Sequence, residues 1–424
     1  MPAPPACQGG RRSRTRCSSR RRRGQAKPAR SSQPEWIRAP SADRSEELGR
    51  IRAIDDLRSA VIILVVAHHA ALAYIPHAQR DPLDYMRSTA PVVDPLRWWP
   101  LDLLVSWNDQ FFMALLFLLS GLFVIPAIRR KGIGGFVRER VQRLGLPFLL
   151  AAGLLSPLAF YPSWLQGPRP PGPAYWQRYF VLDGWSPGPA WFLWLLLAYS
   201  LLLALACALA PPRLRRWGWR PRSAKELLLT CLLASGLASG VMAVGVGAET
   251  WFTLTGPFSA QTSRLLLYGA WFLVGVALGA GDLEQSLALE RLRPWRLWAL
   301  LGLLAYLLTL VQQAQPAGLA PLPPLPLRLG LALSSAAGGT FTILAALGWA
   351  RHHLGAPSRL ADSLSRHSYA IFLLHYPLVT WIQFALLGSP LPAPLKFLLS
   401  FSGALSGSWL LAIALRRTPA RQVI

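Results

Sequence analysis

Long apolar segments recur along the chain and are separated by shorter polar or basic segments. Ten of them are long enough to cross a membrane as helices, since a hydrocarbon core about 30 Å thick needs about 20 helical residues. The predicted spans are residues 57–76, 103–127, 141–162, 189–210, 226–247, 264–281, 295–314, 325–350, 368–387 and 394–415. The alternation typical of barrel strands is missing, and lipid cannot pair exposed backbone groups. The pattern therefore predicts an all-α polytopic membrane protein, a bundle of about ten transmembrane helices.

Composition agrees with this prediction. Of the 424 residues, 53% are hydrophobic and only 15% are charged, whereas an ordinary soluble domain has about 25% charged residues. Such a shortage of charge indicates that lipid, rather than water, surrounds most of the chain.

Basic residues are concentrated in every second segment between the predicted spans. They occur in segments 128–140, 211–225, 282–294 and 351–367 and at both ends of the chain. Segment 77–102 instead contains Asp81, Asp84, Asp94 and Asp102. Cytoplasmic loops carry an excess of Lys and Arg. We therefore expect both termini in the cytoplasm and the protein as a multi-pass component of the inner (plasma) membrane.

The first fifty residues are rich in arginine, serine and proline and include an unbroken arginine run at 20–23. This composition predicts a solvated, disordered cytoplasmic tail over residues 1–50, with nucleic-acid or anionic-lipid binding as the alternative. The membrane domain is predicted at residues 51–417, followed by a short cytoplasmic tail at 418–424. The tail and the basic loops largely explain the net charge of +25, so no nucleic-acid partner is expected.

Two common kinds of functional site have no counterpart in the sequence. Cys7, Cys17, Cys207 and Cys231 lack the spacing of metal ligands, so no metal site is predicted. A Walker loop is also missing, which disfavours a nucleotide-driven pump.

The first predicted helix contains ionisable residues at membrane depth, where an Arg or Asp costs at least about 2.5–3.5 kcal/mol. Arg58 and His69 are eleven residues apart, which places them about 20° from the same helix face and about 16 Å apart along the axis. Asp55 lies one turn before Arg58 and is positioned to pair with it. His68 is rotated by about 100° from His69, so only one of the two imidazoles faces a given cavity.

Each of these residues also has a purely structural explanation. Arg58 can anchor the helix by extending to the cytoplasmic interface. His69 can be a packed residue that hydrogen-bonds a neighbouring helix. The alternative for His69 is proton transfer, because an imidazole with an ordinary pKa near about 6.5 suits a general base.

Five motifs occur in an order that resembles the membrane acyltransferase-3 family, from about residue 50 to residue 416. They are IDDLR with Arg58 and His69, NDQFFMALLFLLSGLFV at 108–124, FVRERVQRLGLPFLL at 136–150, PAWFLWLLLAYSL at 189–201 and SYAIFLLHYPLV at 368–379. The NDQFF and RLGLP motifs are most similar to the branch that contains the periplasmic-glucan succinyltransferases. The sequence departs from the family in its arginine-rich tail and in the doubled histidine, where the spacing from Arg58 selects His69.

The resemblance implies an acyltransferase that moves an acyl group, of the O-acetyl or O-succinyl type, from cytoplasmic acyl-CoA to a carbohydrate hydroxyl across the membrane. It implies catalytic roles for His69, Arg58 and Asp55, and acyl-CoA binding by Arg138, Arg140 and Arg143. For these last three, interfacial anchoring is the alternative. His375 and Ser120 are candidates for a proton relay or for orienting His69, and His375 can equally be a helix-packing residue. Acyl-CoA is then a co-substrate and no bound cofactor is expected, while the acyl group, the acceptor and the oligomeric state stay open.

Two other classes of function compete with this interpretation. A proton-coupled transporter for a small anionic or sugar-like solute also uses intramembrane Arg, His and Asp, but the paired broken helices typical of transporters are missing. A non-enzymatic membrane anchor explains the basic tail but neither His69 nor His375.

Overall fold

The computed structural model describes residues 42–81, 84–167, 174–209, 218–246, 250–281, 289–314 and 324–418, with the backbone alone for 42–51, 87 and 289–290. The rest of the predicted tail, residues 1–41, and the end of the chain after residue 418 lie outside the described residues. Parts of the basic loops 211–225 and 282–294 do so as well. The helical bundle belongs to one compact unit that begins at Ser45.

Long helices make up most of the described chain. We number them α1 (Ala42–Leu72), α2 (Trp99–Gly121), α3 (Val124–Gln166), α4 (Trp191–Leu209), α5 (Ala224–Gly245), α6 (Leu265–Gly281), α7 (Trp295–Gln313), α8 (Leu325–His353), α9 (Arg359–Leu386) and α10 (Ala393–Leu415). Short helical turns occur at Tyr85–Arg87, Tyr175–Leu182, Gly188–Ala190, Thr262–Arg264 and Leu289–Leu292. One small antiparallel hairpin joins β1 (Trp251–Thr253) to β2 (Ser259–Gln261), with Trp251 opposite Gln261.

The predicted membrane helices are confirmed. Among the described residues, nine helices, α2 to α10, are long and apolar enough to span a membrane. The predicted span 57–76 falls largely on α1. In this helix Asp55, Asp56 and Arg58 come just before the apolar stretch. The chain is therefore an all-α polytopic membrane protein.

The predicted loop at 128–140 is wrong, because these residues are helical. The first part of α3 runs from Val124 to Arg140 and bends at Gly132, whose φ of 72° suits glycine. Lys131 pairs with the Glu139 carboxylate across the bend at 2.6 Å, and Arg143, one turn after Glu139, pairs with the same carboxylate at 3.4 Å. Long basic side chains can reach the interface from a helix, so a basic segment need not be a loop.

Helix α2 lies in the core of the bundle and packs closely against α6. A side chain at Gly275 or Gly279 would collide with the backbone oxygen of Leu118 or Leu122 on α2. Glycine therefore allows the two backbones to touch, as is usual where membrane helices pack without a hydrophobic driving force. This contact fixes the position of the α2 residues that reach the candidate site.

Connecting segments gather at one end of the bundle, which we call the loop end. Gln166 donates to the backbone oxygen of Pro91, and Trp194 donates to that of Ser259 beside the hairpin. Tyr85 donates to the Asp183 carboxylate at 3.1 Å. Burial and the neighbouring Asp183 charge raise the pKa of Tyr85, so its hydroxyl stays a donor at neutral pH.

Basic side chains meet helix ends at the opposite side, which we call the basic end. Arg129 donates to the backbone oxygen of Ala280, and Arg220 donates to that of Gly281, at the carboxyl end of α6. Cations are favourable there because helix carboxyl ends carry unpaired carbonyls and a partial negative charge.

Helix α1 ends at Leu72, four residues before the predicted end of the span at 76. The chain turns inside the protein, with Tyr74 completely buried, and Arg97 donates to the backbone oxygens of Ala73 and Ile75. Arg97, which is distant in sequence, thus hydrogen-bonds the backbone carbonyls that follow α1. The short helix leaves His69 one turn from its carboxyl end, beneath the loops.

Candidate active site

Two histidines from different helices meet inside the bundle. His69 of α1 and His375 of α9 have ring centroids 5.0 Å apart, and Nε2 of His375 lies 3.2 Å from Nδ1 of His69. Nδ1 of His69 is also 2.9 Å from the backbone oxygen of Val65, and Nδ1 of His375 is 2.7 Å from that of Phe372.

These contacts specify which nitrogen carries the proton on each neutral ring. A backbone carbonyl only accepts hydrogen bonds, so Nδ1 of His375 is the donor and its Nε2 is an acceptor. Nδ1–H of His69 then donates to both Val65 and His375. The remaining nitrogen, Nε2 of His69, keeps an unshared electron pair, which is the requirement for a general base.

A second residue of α9, Gln383, binds the backbone at His69. The Gln383 side chain donates to the backbone oxygens of His69 and Ala70, at 3.1 Å each. These carbonyls belong to the last turn of α1. Because the helix ends there, no later helical amide donates a hydrogen bond to them. Gln383 therefore fixes the end of α1 against α9. This contact keeps the His69 and His375 rings within hydrogen-bonding distance.

An apolar cavity adjoins the histidine pair. Tyr376 lies edge-on to His69, with ring centroids 5.1 Å apart, and also lines the cavity. The cavity volume is about 10 Å³, roughly the space of one water molecule. Its remaining lining residues are Ala151, Leu155, Ser156, Pro187, Pro189, Ala190, Phe372, Leu373 and Pro377. Such a lining suits an acyl chain better than a charged group.

The adjacent histidines His68 and His69 point in different directions. His68 faces away from His375, stacks on Phe112 of α2 at 5.0 Å and has Nε2 3.9 Å from an oxygen of Asp109. His69 alone contacts His375. His69, the histidine that the spacing from Arg58 points to, is therefore the one paired with His375, and its catalytic role stays a prediction.

Arg58 and Asp55 form a pair of their own nearer the basic end. The guanidinium of Arg58 lies 2.9 Å from the carboxylate of Asp55, and both side chains are partly exposed. Eleven helical residues separate Arg58 from His69, a distance of about 16 Å. The two residues therefore do not touch the imidazoles, and their catalytic role stays a prediction.

The three predicted acyl-CoA-binding arginines lie on α3. Arg138 is exposed, and the guanidinium of Arg140 sits 5.0 Å above the Phe136 ring. Arg143 is exposed and pairs with Glu139, while its backbone oxygen accepts a hydrogen bond from Tyr369 of α9 at 2.5 Å. Arg143 thus lies where α3 meets α9, and the ligand of the three arginines stays a prediction.

The structure does not support Ser120 as a relay to His69. Ser120 follows Phe112, the residue stacked on His68, by eight positions on α2, which corresponds to about 12 Å along the helix. Helix α2 runs antiparallel to α1, so a late residue of α2 lies toward the basic end. The motif that contains Ser120 therefore did not predict its distance from His69.

Several residues that shape the site were missed by the sequence analysis. Lys396 pairs with Asp94 at 2.7 Å, and both side chains are only 1% exposed. Lys396 was visible as a charge in the predicted span 394–415, and Gln383 as a polar residue in 368–387. Their partners are distant in sequence, so no local pattern identified the contacts. No metal-ligating cluster of His, Cys, Asp or Glu occurs among the described residues.

Comparison with known proteins identifies a family. Residues 51–413 match the family described as Acyltransferase domain, Acyl_transf_3. A stretch of 103 residues is 29% identical to glucans biosynthesis protein C of Salmonella typhimurium and covers 24% of each chain. Another stretch of 152 residues is 26% identical to the protein of the same name from Shigella dysenteriae and covers 35% of this chain and 37% of the relative. The chain thus matches only about a quarter to a third of the length of these curated relatives, and no solved structure matches it.

The family match extends over all of the helices that form the site, from α1 with His69 to α9 with His375. The relatives match shorter stretches but carry a name from the same family. The chain therefore belongs to the acyltransferase-3 family of multi-pass membrane acyltransferases.

Proposed function

We propose that this protein is an integral membrane O-acyltransferase that moves an acyl group from acyl-CoA to a hydroxyl of a carbohydrate acceptor. The observation that carries the proposal is the hydrogen bond between His375 and His69, which leaves Nε2 of His69 as an available base. The apolar side chains beside Tyr376 support placing the acyl chain next to His69.

The chemistry requires one base and no covalent intermediate. Nε2 of His69 takes the proton of the acceptor hydroxyl while the hydroxyl oxygen attacks the thioester carbonyl. The carbon–sulfur bond breaks, and the coenzyme A thiolate receives the proton from the imidazolium. The products are an acylated carbohydrate and free coenzyme A. His375 supports the step because it accepts a hydrogen bond from Nδ1–H of His69 and so stabilises the charged ring.

The donor is assigned to the basic end. Coenzyme A carries phosphates, which suit the permanent charge and planar donors of arginine. Arg58, Arg138, Arg140 and Arg143 supply that charge. The separation between Arg58 and His69 is compatible with a phosphate group bound at one end and an extended thioester arm reaching the imidazole.

The acceptor is assigned to the loop end, and the cytoplasm to the basic end. The positive-inside rule supports this orientation and an inner-membrane location, with both termini in the cytoplasm. The name of the relatives, glucans biosynthesis protein C, supports a glucan or other carbohydrate acceptor. Succinyl-CoA and acetyl-CoA are the donors that we expect.

Coenzyme A release by the purified protein in detergent tests the proposal. We expect acceptor-dependent release from succinyl-CoA or acetyl-CoA with at least one glucose oligosaccharide among maltotetraose, cellotetraose and laminaritetraose. Mass spectrometry should show the acylated sugar. A proton-coupled transporter would give no acylated product with any pair of substrates, and that result would contradict the proposal.

A further inference from the structure

A second polar cluster lies on the other side of the histidine pair, around the carboxylate of Asp109. Asp109 is in the interior of α2, beside His68, yet its side chain is 42% exposed. An ionised carboxylate at membrane depth is costly unless something pairs with it. Among the described residues, none donates a hydrogen bond to this carboxylate.

The spacing between His68 and Asp109 leaves room for a ligand atom. Their nearest nitrogen and oxygen are 3.9 Å apart, which is too long for a direct hydrogen bond but short enough for one hydroxyl oxygen to contact both. His68 is 7% exposed, and its Nδ1 is buried without a hydrogen-bond partner. Buried polar atoms without partners are uncommon in native proteins and point to a missing ligand or water.

Arg264 and an aromatic pair surround this cluster. Arg264, just before α6, donates to the backbone oxygen of Asp109 and hydrogen-bonds the Tyr268 hydroxyl. The Tyr268 ring stacks on Trp191 at 5.6 Å, and Trp191 meets Trp251 of the hairpin at 6.0 Å. The cluster therefore combines hydrogen-bonding groups with flat apolar rings and continues toward the loop end.

We propose that Asp109, His68 and the Trp191–Tyr268 pair form the binding subsite for the carbohydrate acceptor. Asp109 accepts hydrogen bonds from the sugar hydroxyls, and the partly exposed Trp191 ring contacts the apolar face of the sugar. The buried Tyr268 ring stacks between Trp191 and Phe117 and holds Trp191 in place. The His68 and His69 rings are only 5.4 Å apart, so a hydroxyl beside His68 is close to the proposed base. This inference rests on the proposed function and adds the residues that recognise its acceptor.

Hydrogen-bond chemistry favours the acceptor over the donor as the occupant of this cluster. Sugar hydroxyls can donate to the Asp109 carboxylate, whereas ionised phosphates of coenzyme A and the free carboxylate of a succinyl group cannot. The Arg264 guanidinium in the cluster already donates to the Asp109 backbone oxygen and to Tyr268. The apolar cavity beside Tyr376 remains for the acyl group. The histidine pair thus separates a polar acceptor side from an apolar acyl side.

Steady-state kinetics of Asp109→Asn and Asp109→Ala test the assignment, with acceptor and acyl-CoA varied separately. Loss of a hydrogen bond to a charged group changes affinity by about 10- to 100-fold, so the KM for the oligosaccharide should rise by that factor. The KM for acyl-CoA should change by less than about twofold, because the donor phosphates bind elsewhere. Asp102→Asn is the matched control, since Asp102 lies seven residues earlier on the same face of α2 and pairs with His77 instead.

Folding is verified by a monodisperse elution profile, and Trp191→Leu provides a second variant with the same expected rise in acceptor KM. An unchanged acceptor KM in the Asp109 and Trp191 variants would overturn the inference while leaving the acyltransferase activity intact. An equal rise in both KM values would also overturn it. Absence of transfer by the wild-type protein would instead overturn the proposed function, and the acceptor subsite with it.

Discussion

Two imidazole rings share the candidate site, and their hydrogen bonds give them different roles. His375 is completely buried, and both of its nitrogens are engaged, one with Phe372 and one with His69. His69 has one nitrogen engaged and one available. His69 is therefore the group that meets the acceptor hydroxyl, and His375 acts through it.

The first prediction concerns His375→Ala. Removing the acceptor of the His69 Nδ1–H bond should lower kcat by about 10- to 100-fold, since hydrogen bonds to charged groups are worth about 1.5–3 kcal/mol. If His375 acts only through His69, the double variant His69→Ala/His375→Ala should be no slower than His69→Ala. Additive losses in the double variant would show that His375 has an independent role.

The second prediction concerns Arg58→Ala. If Arg58 binds a phosphate of the donor, the variant should raise the KM for acyl-CoA by about tenfold and leave the acceptor KM unchanged. Arg52→Ala is the matched control, because Arg52 is on the same helix and pairs with Asp362 at 3.4 Å. Identical donor KM values in wild type and Arg58→Ala would remove Arg58 from the donor site.

Sequence alone could supply the candidate residues but not their contacts. His69 and His375 were identified from motifs and from polarity at membrane depth. The 3.2 Å contact between them depends on how α9 crosses α1, which no local pattern encodes. For the same reason, the motif that contains Ser120 predicted a helix but not the distance of Ser120 from His69.

At the scale of the elements, an ion pair at the loop end holds three parts of the chain together. Lys396 near the start of α10 binds Asp94, whose backbone amide donates to the backbone oxygen of Ala73 just after α1. Tyr74 and Ser400 add a contact of 3.3 Å between the end of α1 and α10. The position of His69 therefore depends on residues far from the proposed chemistry.

The third prediction is that Asp94→Asn strongly destabilises the protein. It leaves the Lys396 ammonium buried without a counter-charge, and breaking a buried pair costs about 3–5 kcal/mol. The thermal midpoint in detergent should fall clearly, and Asp94→Leu/Lys396→Met should recover most of the loss. Asp102→Asn, which affects a pair with the exposed His77, should have little effect. A wild-type midpoint for Asp94→Asn would show that the pair does not stabilise the fold.

Hydrophobic length predicted the helices well and their ends less well. A membrane span needs a certain number of apolar residues, and this requirement is local to each segment. Helix ends depend on partners elsewhere, as α1 shows, where Arg97 pairs the carbonyls beyond Leu72. The basic segment 128–140 was assigned to a loop because it lies between two predicted apolar spans, whereas the helix continues through it beyond the bend at Gly132.

For the whole molecule, the proposed transfer requires that the two ends of the bundle face different compartments. The basic end carries the arginines proposed to bind the donor, and the loop end carries the proposed acceptor subsite. Transfer from a cytoplasmic donor to an external carbohydrate is possible only if the histidine pair is reached from both ends.

The fourth prediction tests this orientation by thiol labelling of intact cells. With the four native cysteines replaced, Thr255→Cys at the exposed hairpin tip should react with a membrane-impermeant maleimide. Gly134→Cys, on the exposed basic part of α3, should react only after the membrane is permeabilised. The opposite pattern would place the basic end outside and contradict the proposed direction of transfer.

The fifth prediction tests the central claim, that Nε2 of His69 is the general base for acyl transfer. Acceptor-dependent coenzyme A release should be measured for purified wild type, His69→Ala and His77→Ala, where His77 is an exposed histidine at the loop end. Because a general base contributes about 10² to 10⁴ in rate, kcat of His69→Ala should fall at least about 100-fold. His77→Ala should stay within about twofold of wild type. Full activity in a correctly folded His69→Ala protein would contradict the account.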